Sequence, residues 1–574
     1  ILDKGGWSTH VSIVDIDNDG LKDIYVCKSL YDGKEDLRQN ELYINNGNLT
    51  FTESASEYNL DDRNRTTEAN FFDFDKDGDF DVFLVNQPKN SSFMAPANDE
   101  PKILATENYR LLENVGNNFK ETPNNGGLSN FGYGLSSSIA DFNNDGWQDI
   151  YVANDYLGPD FFYINNGNGS FTNKIYENIK HTSYFSMGTD VGDINNDGWF
   201  DFVVLDMVTE DNYRLKSNMS SMNPSEFWNN VSRGGHYQYM FNTLQLNNGV
   251  DVHGNMLFSE IAQMAGISST DWSWSPLLAD FDNDGHLDLF VTNGIRHEIG
   301  NTDALKKLDE YIGDIDTKYN KGDDQYFNVW EYADLEKILA FFPSSKIQNY
   351  MYRNANGLKF EKVSDVWGLS EQSFSTGAAY GDLDNDGDLD LVVNNIDEVA
   401  YVYKNNISDD RENNFLRVKF KKGKKRQSFF GTKVSLFHKK GVQISQLTNA
   451  RGINSSSEEI LHFGLASIDK IDSLKIDWYN GQTSIYKNIK VNRTLEYDLD
   501  EASNGKQAIN KSDLLLFEDI SDTAKINYVH KENKFDDFGR EVLLPHRMST
   551  LGSGIAVADI DGNGLEDFYI GGPN

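Results

Sequence analysis

An all-β fold of repeated four-stranded units is what this sequence predicts, and three observations predict it. One short acidic loop, DIDNDGLKDIYV at residues 15–26 in its first form, occurs seven times. The residues flanking it are β-branched and aromatic, as in SIVDI before the first copy and IYV, VFL, FVV, LFV and LVV after later ones. A second element, strand, Asn-Gly turn, strand, follows most copies.

The loop begins at Asp15, Asp73, Asp141, Asp193, Asp280, Asp382 and Asp559. Its third position is Asp17, Asp75, Asn143, Asn195, Asp282, Asp384 and Asp561. Its fifth is Asp19, Asp77, Asp145, Asp197, Asp284, Asp386 and Asn563. The sixth is glycine throughout, and the ninth is Asp23, Asp81, Asp149, Asp201, Asp288, Asp390 and Asp567. Alternate side chains of a tight loop converge on one point, and glycine permits the sharp turn. The seventh position adds a backbone carbonyl, from Leu21, Asp79, Trp147, Trp199, His286, Asp388 or Leu565. Hard oxygen ligands at this density suit Ca²⁺, so about seven calcium sites are expected; Mg²⁺ holds its waters too tightly to suit them as well. An EF-hand would place a bidentate Glu at position 12 between two helices. That position holds Val26, Leu84, Val152, Val204, Val291, Val393 and Ile570, so the loop joins two strands instead.

The bulk composition agrees. Lys+Arg 52 against Asp+Glu 90 leaves a net charge of −38, which excludes nucleic acid or an anionic membrane surface as the main partner and favours bound cations. Hydrophobic content of 38% speaks for folded domains, and 574 residues exceed one ordinary core. The single cysteine, Cys27, excludes an internal disulfide framework and a multi-cysteine zinc site. No apolar run is long enough to span a bilayer as a helix.

One repeat reads as strand A, acidic loop, strand B, connection, strand C, NNG turn, strand D. Segments 41–53, 161–173 and 243–260 supply clear C–D hairpins, and 110–121 and 351–363 looser ones. Four-stranded antiparallel units repeated about an axis make a β-propeller. Six acidic loops mark six blades of an expected seven, the seventh drawn from strands before Ile1. Long insertions at 206–240 and 296–346 interrupt B–C connections and carry helical stretches such as ADLEKILAFF. The expected organisation is a propeller over 1–408, a small β-sandwich over 409–500, a linker over 501–515, and over 516–574 the first part of a second propeller. The chain opens and closes inside repeats, so it reads as a piece of a longer polypeptide whose export or lipid-anchor signal lies upstream.

These repeats resemble the FG-GAP/VCBS repeats of integrin α-chains and many exported bacterial proteins. RGINSSSEEILHFGL (451–465), followed by IDSLKIDWYNGQ, is similar to the ASPIC/UnbV module, with departures at GTKV and WYNG. The combination resembles the large VCBS-repeat surface lipoproteins of Bacteroidota. The resemblance implies export and display on the outer-membrane surface, with membrane contact only through an upstream lipid anchor.

Connections A–B and C–D share one end of each repeat, and B–C and D–A share the other. The D–A segments place Trp7, Tyr133, Phe185, Trp272, Trp274 and Phe374 at the second end, as blade packing or as a platform for a ligand such as a sugar ring. No GxSxG, HExxH or phosphate loop is present, and no catalytic residue is assigned. Arg296, His297 and Glu298 open one insertion and Asp206 and Glu210 the other, which keeps a Ca²⁺-dependent polysaccharide lyase or hydrolase as the enzyme alternative. The basic run KFKKGKKR (419–426) reads as a solvated hairpin tip or as a docking element. The expected function is a calcium-stabilised binding or scaffold protein at the bacterial surface. Its partner would be a surface or outer-membrane protein complex or a glycan, met at the end opposite the acidic loops.

Overall fold

The computed structural model describes residues 5–29, 33–88, 109–128, 132–155, 158–218, 224–251, 254–320, 327–410, 413–421 and 429–502, with scattered residues between 528 and 571. Residues 1–506 form one compact unit and 507–574 a second.

Six antiparallel sheets succeed one another along the first unit, each a meander in chain order. The first comprises Trp7–Val14, Asp23–Ser29, Glu41–Asn45 and Phe51–Glu53; the second Arg65–Phe72, Asp81–Gln87, Arg110–Asn114 and Phe119–Glu121. The third holds Tyr133–Ala140, Asp149–Asp155, Phe161–Asn165 and Phe171–Asn173; the fourth Thr189–Gly192, Asp201–Val204, Thr243–Val250 and Met256–Glu260. Ser273–Ala279, Asp288–Asn293, Tyr350–Asn354 and Phe360–Lys362 make the fifth. The sixth has three described strands, Ser375–Gly381, Asp390–Asn395 and Tyr401–Tyr403. An acidic loop joins the first two strands of every sheet.

The first strands of successive sheets lie side by side from the first sheet to the sixth. Polar side chains stitch them together, since a strand packed on both faces has few apolar partners for its backbone. Ser12 donates to Ala69 O (2.9 Å) on the next first strand, Ser136 to Met187 O (2.7 Å) just before one, and Thr292, from the fifth sheet's second strand, to Thr376 O (2.5 Å) on the sixth sheet's first. Arg65–Phe72 is buried along its whole length, whereas Trp7–Val14 alternates and leaves Val11 and Ile13 exposed on one face.

Both insertions carry helices: Asn212–Asn218 and Pro224–Ser232 in one, Thr302–Tyr319 and Leu335–Leu339 in the other. Asn301 and Asp334 cap the last two by accepting backbone N–H groups through their side chains. Arg214 ties the insertions together, bonding Glu298 (2.6 Å) from one and Asp271 (2.9 Å) from the segment before the fifth sheet.

Residues 414–498 form two further sheets. Asn414–Lys421 lies between Leu461–Ala466 and Arg493–Asp498, the latter parallel to it. The other sheet runs Gly441–Gln446, Lys433–His438, Lys470–Asp477, Thr483–Lys490. Leu416, Val418, Val434, Leu436, Leu474 and Trp478 fill the space between them. Of the basic run, Lys419 pairs with Glu496 (3.2 Å), and residues 422–426 lie outside the described residues. In the second unit a hairpin of Ile555–Ala558 and Asp567–Ile570 frames the seventh acidic loop. The linker expected at 501–515 falls outside the described residues from 503 onward, as does most of 516–554.

Candidate metal centres and the end that covers them

Each acidic loop of the first unit is shaped by its own side chains before any ion is considered. The fourth residue adopts the left-handed conformation, Asn18 (φ 57°), Lys76 (64°), Asn144 (55°), Asn196 (59°), Asn283 (56°) and Asn385 (59°), which asparagine tolerates best among residues with a Cβ. The first-position carboxylate then accepts the N–H of the sixth-position glycine: Gly20 to Asp15 (3.0 Å), Gly78 to Asp73 (3.0 Å), Gly146 to Asp141 (3.1 Å), Gly198 to Asp193 (2.9 Å), Gly285 to Asp280 (2.8 Å) and Gly387 to Asp382 (3.1 Å). The fifth-position oxygen accepts the N–H of residue seven, as with Leu21 and Asp19 (2.7 Å), Trp147 and Asp145 (2.8 Å) and His286 and Asp284 (3.0 Å).

The ninth-position Asp binds backbone on both sides. Asp201 takes the N–H of Ile194 (3.0 Å) within its loop and that of Asn247 (2.7 Å) on the third strand. Asp23, Asp81, Asp149, Asp288 and Asp390 take the N–H groups of Asn45, Asn114, Asn165, Asn354 and Asn405 in the same way, at 2.8 to 2.9 Å. These asparagines are functional residues that the sequence reading passed over as turn residues. From the third sheet onward their amides reach back to the loop of the preceding sheet: Asn165 to Phe74 O (2.9 Å), Asn247 to Phe142 O (2.9 Å), Asn354 to Ile194 O (2.9 Å) and Asn405 to Phe281 O (2.7 Å).

Three-carboxylate groups form in five of the loops: Asp15, Asp17 and Asp19; Asp73, Asp75 and Asp81; Asp280, Asp282 and Asp288; Asp382, Asp384 and Asp390; and Asp559, Asp561 and Asp567. In the third and fourth loops the third position is an amide, and Asn143 and Asn195 donate to Asp145 (2.8 Å) and Asp197 (2.9 Å). Burial, followed by the charges of Asp77 and Asp75, pushes Asp73 up to about 8. Burial lifts Asp193 to about 7, and burial with Asp284 lifts Asp282 to about 6. Asp73 Oδ1 and Asp141 Oδ1 are buried without a hydrogen-bond partner among the described residues. Crowded, desolvated carboxylates with an oxygen left over fit a hard cation, and these clusters are able to hold metal ions.

The β-sandwich of residues 414–498 sits over this end of the sheets. Phe430 packs on Phe80 beside the second loop (ring centroids 4.9 Å). Lys433 bonds Asp141 (3.3 Å) and Asn144 (2.7 Å) of the third, and Gln443 donates to Gly285 O (2.9 Å) of the fifth. Arg417, itself buried, joins Asp382 (2.7 Å) of the sixth to Glu458 (2.5 Å), and Glu459 pairs with Lys22 of the first. Between them the 447–459 segment enters among the first strands. Asn449 donates to Ile13 O (3.2 Å), and Arg451 to Asp190 (3.0 Å) and Val191 O (2.8 Å).

The opposite end is not covered by the module among the described residues. Trp7 is exposed; Tyr133, Phe185, Trp272 and Trp274 are half-buried, with Trp274 donating to Gly294 O (2.7 Å). Phe374, placed by its sequence position in the same set, is buried at 7% exposure. The insertions add Trp228 and Trp330, both more than half exposed. Arg296, His297 and Glu298 part company: Arg296 pairs with Asp397 (3.0 Å) while Glu298 turns inward to Arg214 (2.6 Å). Asp206 is buried and accepts the N–H groups of Tyr184 (2.9 Å) and Phe185 (3.2 Å), and Glu210 accepts the Tyr350 hydroxyl (2.9 Å).

Loops of this form, one per sheet, define a repeat class. Residues 15–84, 141–204 and 338–393 match the FG-GAP-like repeat, and residues 422–504 match ASPIC and UnbV. The chain carries FG-GAP-like repeats followed by an ASPIC and UnbV module. Among individual proteins it is similar to cartilage acidic protein 1. It is 23% identical to the Mus musculus protein over 365 residues, 62% of this chain and 43% of that protein. It is 24% identical to the Homo sapiens protein, over 62% of this chain and 42% of that one. The chain thus spans less than half the length of these relatives. Among solved structures it is similar to an Agrocybe aegerita lectin that recognises non-reducing terminal N-acetylglucosamine, with a TM-score of 0.33, 15% identity, and 70% of this chain and 82% of that one covered. It is also similar to the exotype rhamnogalacturonan lyase YesX, with a TM-score of 0.30, 12% identity, and 69% and 55% covered.

Proposed function

We propose that the chain is a calcium-stabilised β-propeller acting as a binding or scaffold protein outside the cell, with a protein partner or glycan held at the end opposite the acidic loops. One observation carries this reading. The module covers the acidic-loop end, so the end bearing both insertions and the D–A aromatic residues is the one left open. Ca²⁺ is assigned to the loops because their donors are hard oxygens in tight turns. The propeller is assigned seven blades, the seventh between the sixth sheet and the first, where Val11 and Ile13 stand exposed. Display at a bacterial outer-membrane surface through a lipid anchor completes the proposal, in keeping with the composition and the repeat type.

The test is incubation of the chain with a panel of acidic and neutral polysaccharides. The expected result is binding without new reducing ends or unsaturated products, and binding weakened by about 2 kcal/mol when Trp272→Ala and Trp274→Ala are combined. Turnover that disappears in a folded His297→Ala variant would replace this reading with the enzyme alternative.

A further inference from the structure

A groove of about 500 Å³ lies between the first two sheets at the open end, and four arginines line it: Arg38, Arg63, Arg65 and Arg110. They are the first four arginines of a chain whose net charge is −38. They come from four places: the short turn Glu35–Arg38, the connection into the second sheet, the start of that sheet's first strand, and its third strand. The buried Asp62 carboxylate fixes Arg110 at 2.6 Å and also accepts the N–H of Asn64 (2.7 Å). Arg65 is buried and donates to Pro88 O (3.0 Å). Arg38 is also buried, beside Glu35 (3.5 Å), while the contacts of Arg63 with Asp36 (3.1 Å) and of Arg110 with Glu121 (3.6 Å) are the more exposed ones. Exposed pairs of this kind contribute little and exchange readily for a ligand's anion. Asn59, Asn64, Gln87 and Asp61 supply donors and acceptors of the sort that meet sugar hydroxyls.

We infer that this groove binds an oligosaccharide bearing carboxylate or sulfate groups, each anion held in a guanidinium fork. The inference rests on the reading that the open end is the binding end, and it names the ligand class. A densely charged polyphosphate suits the site poorly, because the surrounding chain repels it while a glycan spaces its charges one sugar at a time.

The experiment is calorimetric titration of the full chain, at fixed calcium, with hexagalacturonate, a heparin-derived hexasaccharide, maltohexaose and a polyglutamate peptide. An acidic hexasaccharide is expected to bind at least tenfold more tightly than maltohexaose. Arg63→Gln, at an exposed position, is expected to weaken that binding about tenfold with melting temperature and calcium content unchanged. Arg110→Lys, which keeps the charge and loses the fork, is expected to weaken it as well. If acidic and neutral sugars bind alike and Arg63→Gln changes nothing, the groove is not the site, although glycan binding at this end survives. Polyglutamate binding that Arg63→Gln abolishes, with no saccharide bound, makes the groove a peptide site and overturns the inference. If none of the four probes binds, the inference falls, and so does glycan recognition in the proposed function.

Discussion

Replacing Asn247 by alanine asks whether the asparagine at or near the end of each third strand fastens one sheet to the next. The Asn247 amide donates to Phe142 O (2.9 Å) of the preceding sheet and to Phe200 O (3.2 Å) of its own loop, and its carbonyl oxygen accepts the Gly249 N–H (3.0 Å). The side chain is fully buried, so water does not replace it. Three such bonds at about 1 kcal/mol each, with two buried carbonyls left unpaired, give a cost of about 3–4 kcal/mol. Its backbone N–H still reaches Asp201 (2.7 Å), so the acidic loop keeps its shape. Asn45 is the control. It donates to Lys22 O (3.0 Å) and accepts from Gly47 (3.0 Å) at a more exposed position, and Asn45→Ala should cost about 1 kcal/mol. Urea unfolding of both variants at one fixed calcium concentration measures the difference. Equal losses, or a loss at Asn247 below about 1 kcal/mol, would refute the idea of a fastener between sheets.

Chelating calcium should lower the melting temperature by more than about ten degrees, because each site filled at a hundred times its dissociation constant adds about 2.7 kcal/mol to the native state. An unchanged melt in excess chelator, with no calcium found by metal analysis, would remove calcium from the loops. Glu68 should make stability fall as pH rises. Burial pushes its carboxyl up from 4.5 to about 8 between Asn70 and Ser137, so its favourable contribution is complete below about pH 4.5 and lost as pH passes about 8. The loss is on the order of 3–5 kcal/mol. Glu68→Gln should flatten that slope in denaturation curves taken at pH 5 and pH 8.5, and parallel curves for the two proteins would show that Glu68 stays charged in the fold.

What the sequence made legible was local. The spacing of Asp and Gly located every strand–loop–strand hairpin, because the partners of those side chains lie within the same nine residues. The NNG segments were legible only as hairpins. Asn165 and Asn247 looked like exposed tips, yet both are buried, because Phe74 O and Phe142 O belong to another repeat and no local period points to them. A signal was present nonetheless: Asn45, Asn114, Asn165 and Asn354 end a third strand, Asn247 lies within one and Asn405 follows one by two residues, including strands where the NNG pattern is lost. Phe374 failed as a surface residue for a related reason. Its position in the repeat matches that of Trp274, but its backbone lies against Gly294 and its side chain is buried, as the blade-packing reading of this set expects. The docking of the module was also hidden. KFKKGKKR drew attention as a dense basic run, and among the described residues the module's cations that reach the acidic end are Lys433, Arg417 and Arg451, scattered singly through strands and a loop.

That scatter explains what the module's own sequence signature is for. Arg451, which opens the run 451–465, bonds Asp190 on the first strand of the fourth sheet. A Cβ on the next residue, Gly452, would stand 2.2 Å from Ser275 Oγ and 2.8 Å from Pro276 O, so only glycine fits there. Farther on, Glu458 accepts the Asp382 N–H (3.3 Å) and Glu459 pairs with Lys22. His462 bonds Asn283 (2.7 Å), and a Cβ at Gly464 would lie 2.0 Å from Asp280 Oδ2. The run's charged residues and glycines touch the repeats, while its Leu461, Phe463 and Leu465 join the module's core beside Leu416, Val434 and Leu474. The run therefore docks the module onto the acidic loops and the first strands beside them. A buried guanidinium such as Arg451 is tolerable only beside its carboxylate, and removing either partner from such a pair costs about 3–5 kcal/mol. Among the described residues these charged side chains of the module face the repeats, in keeping with the proposed recognition at the far end of the sheets.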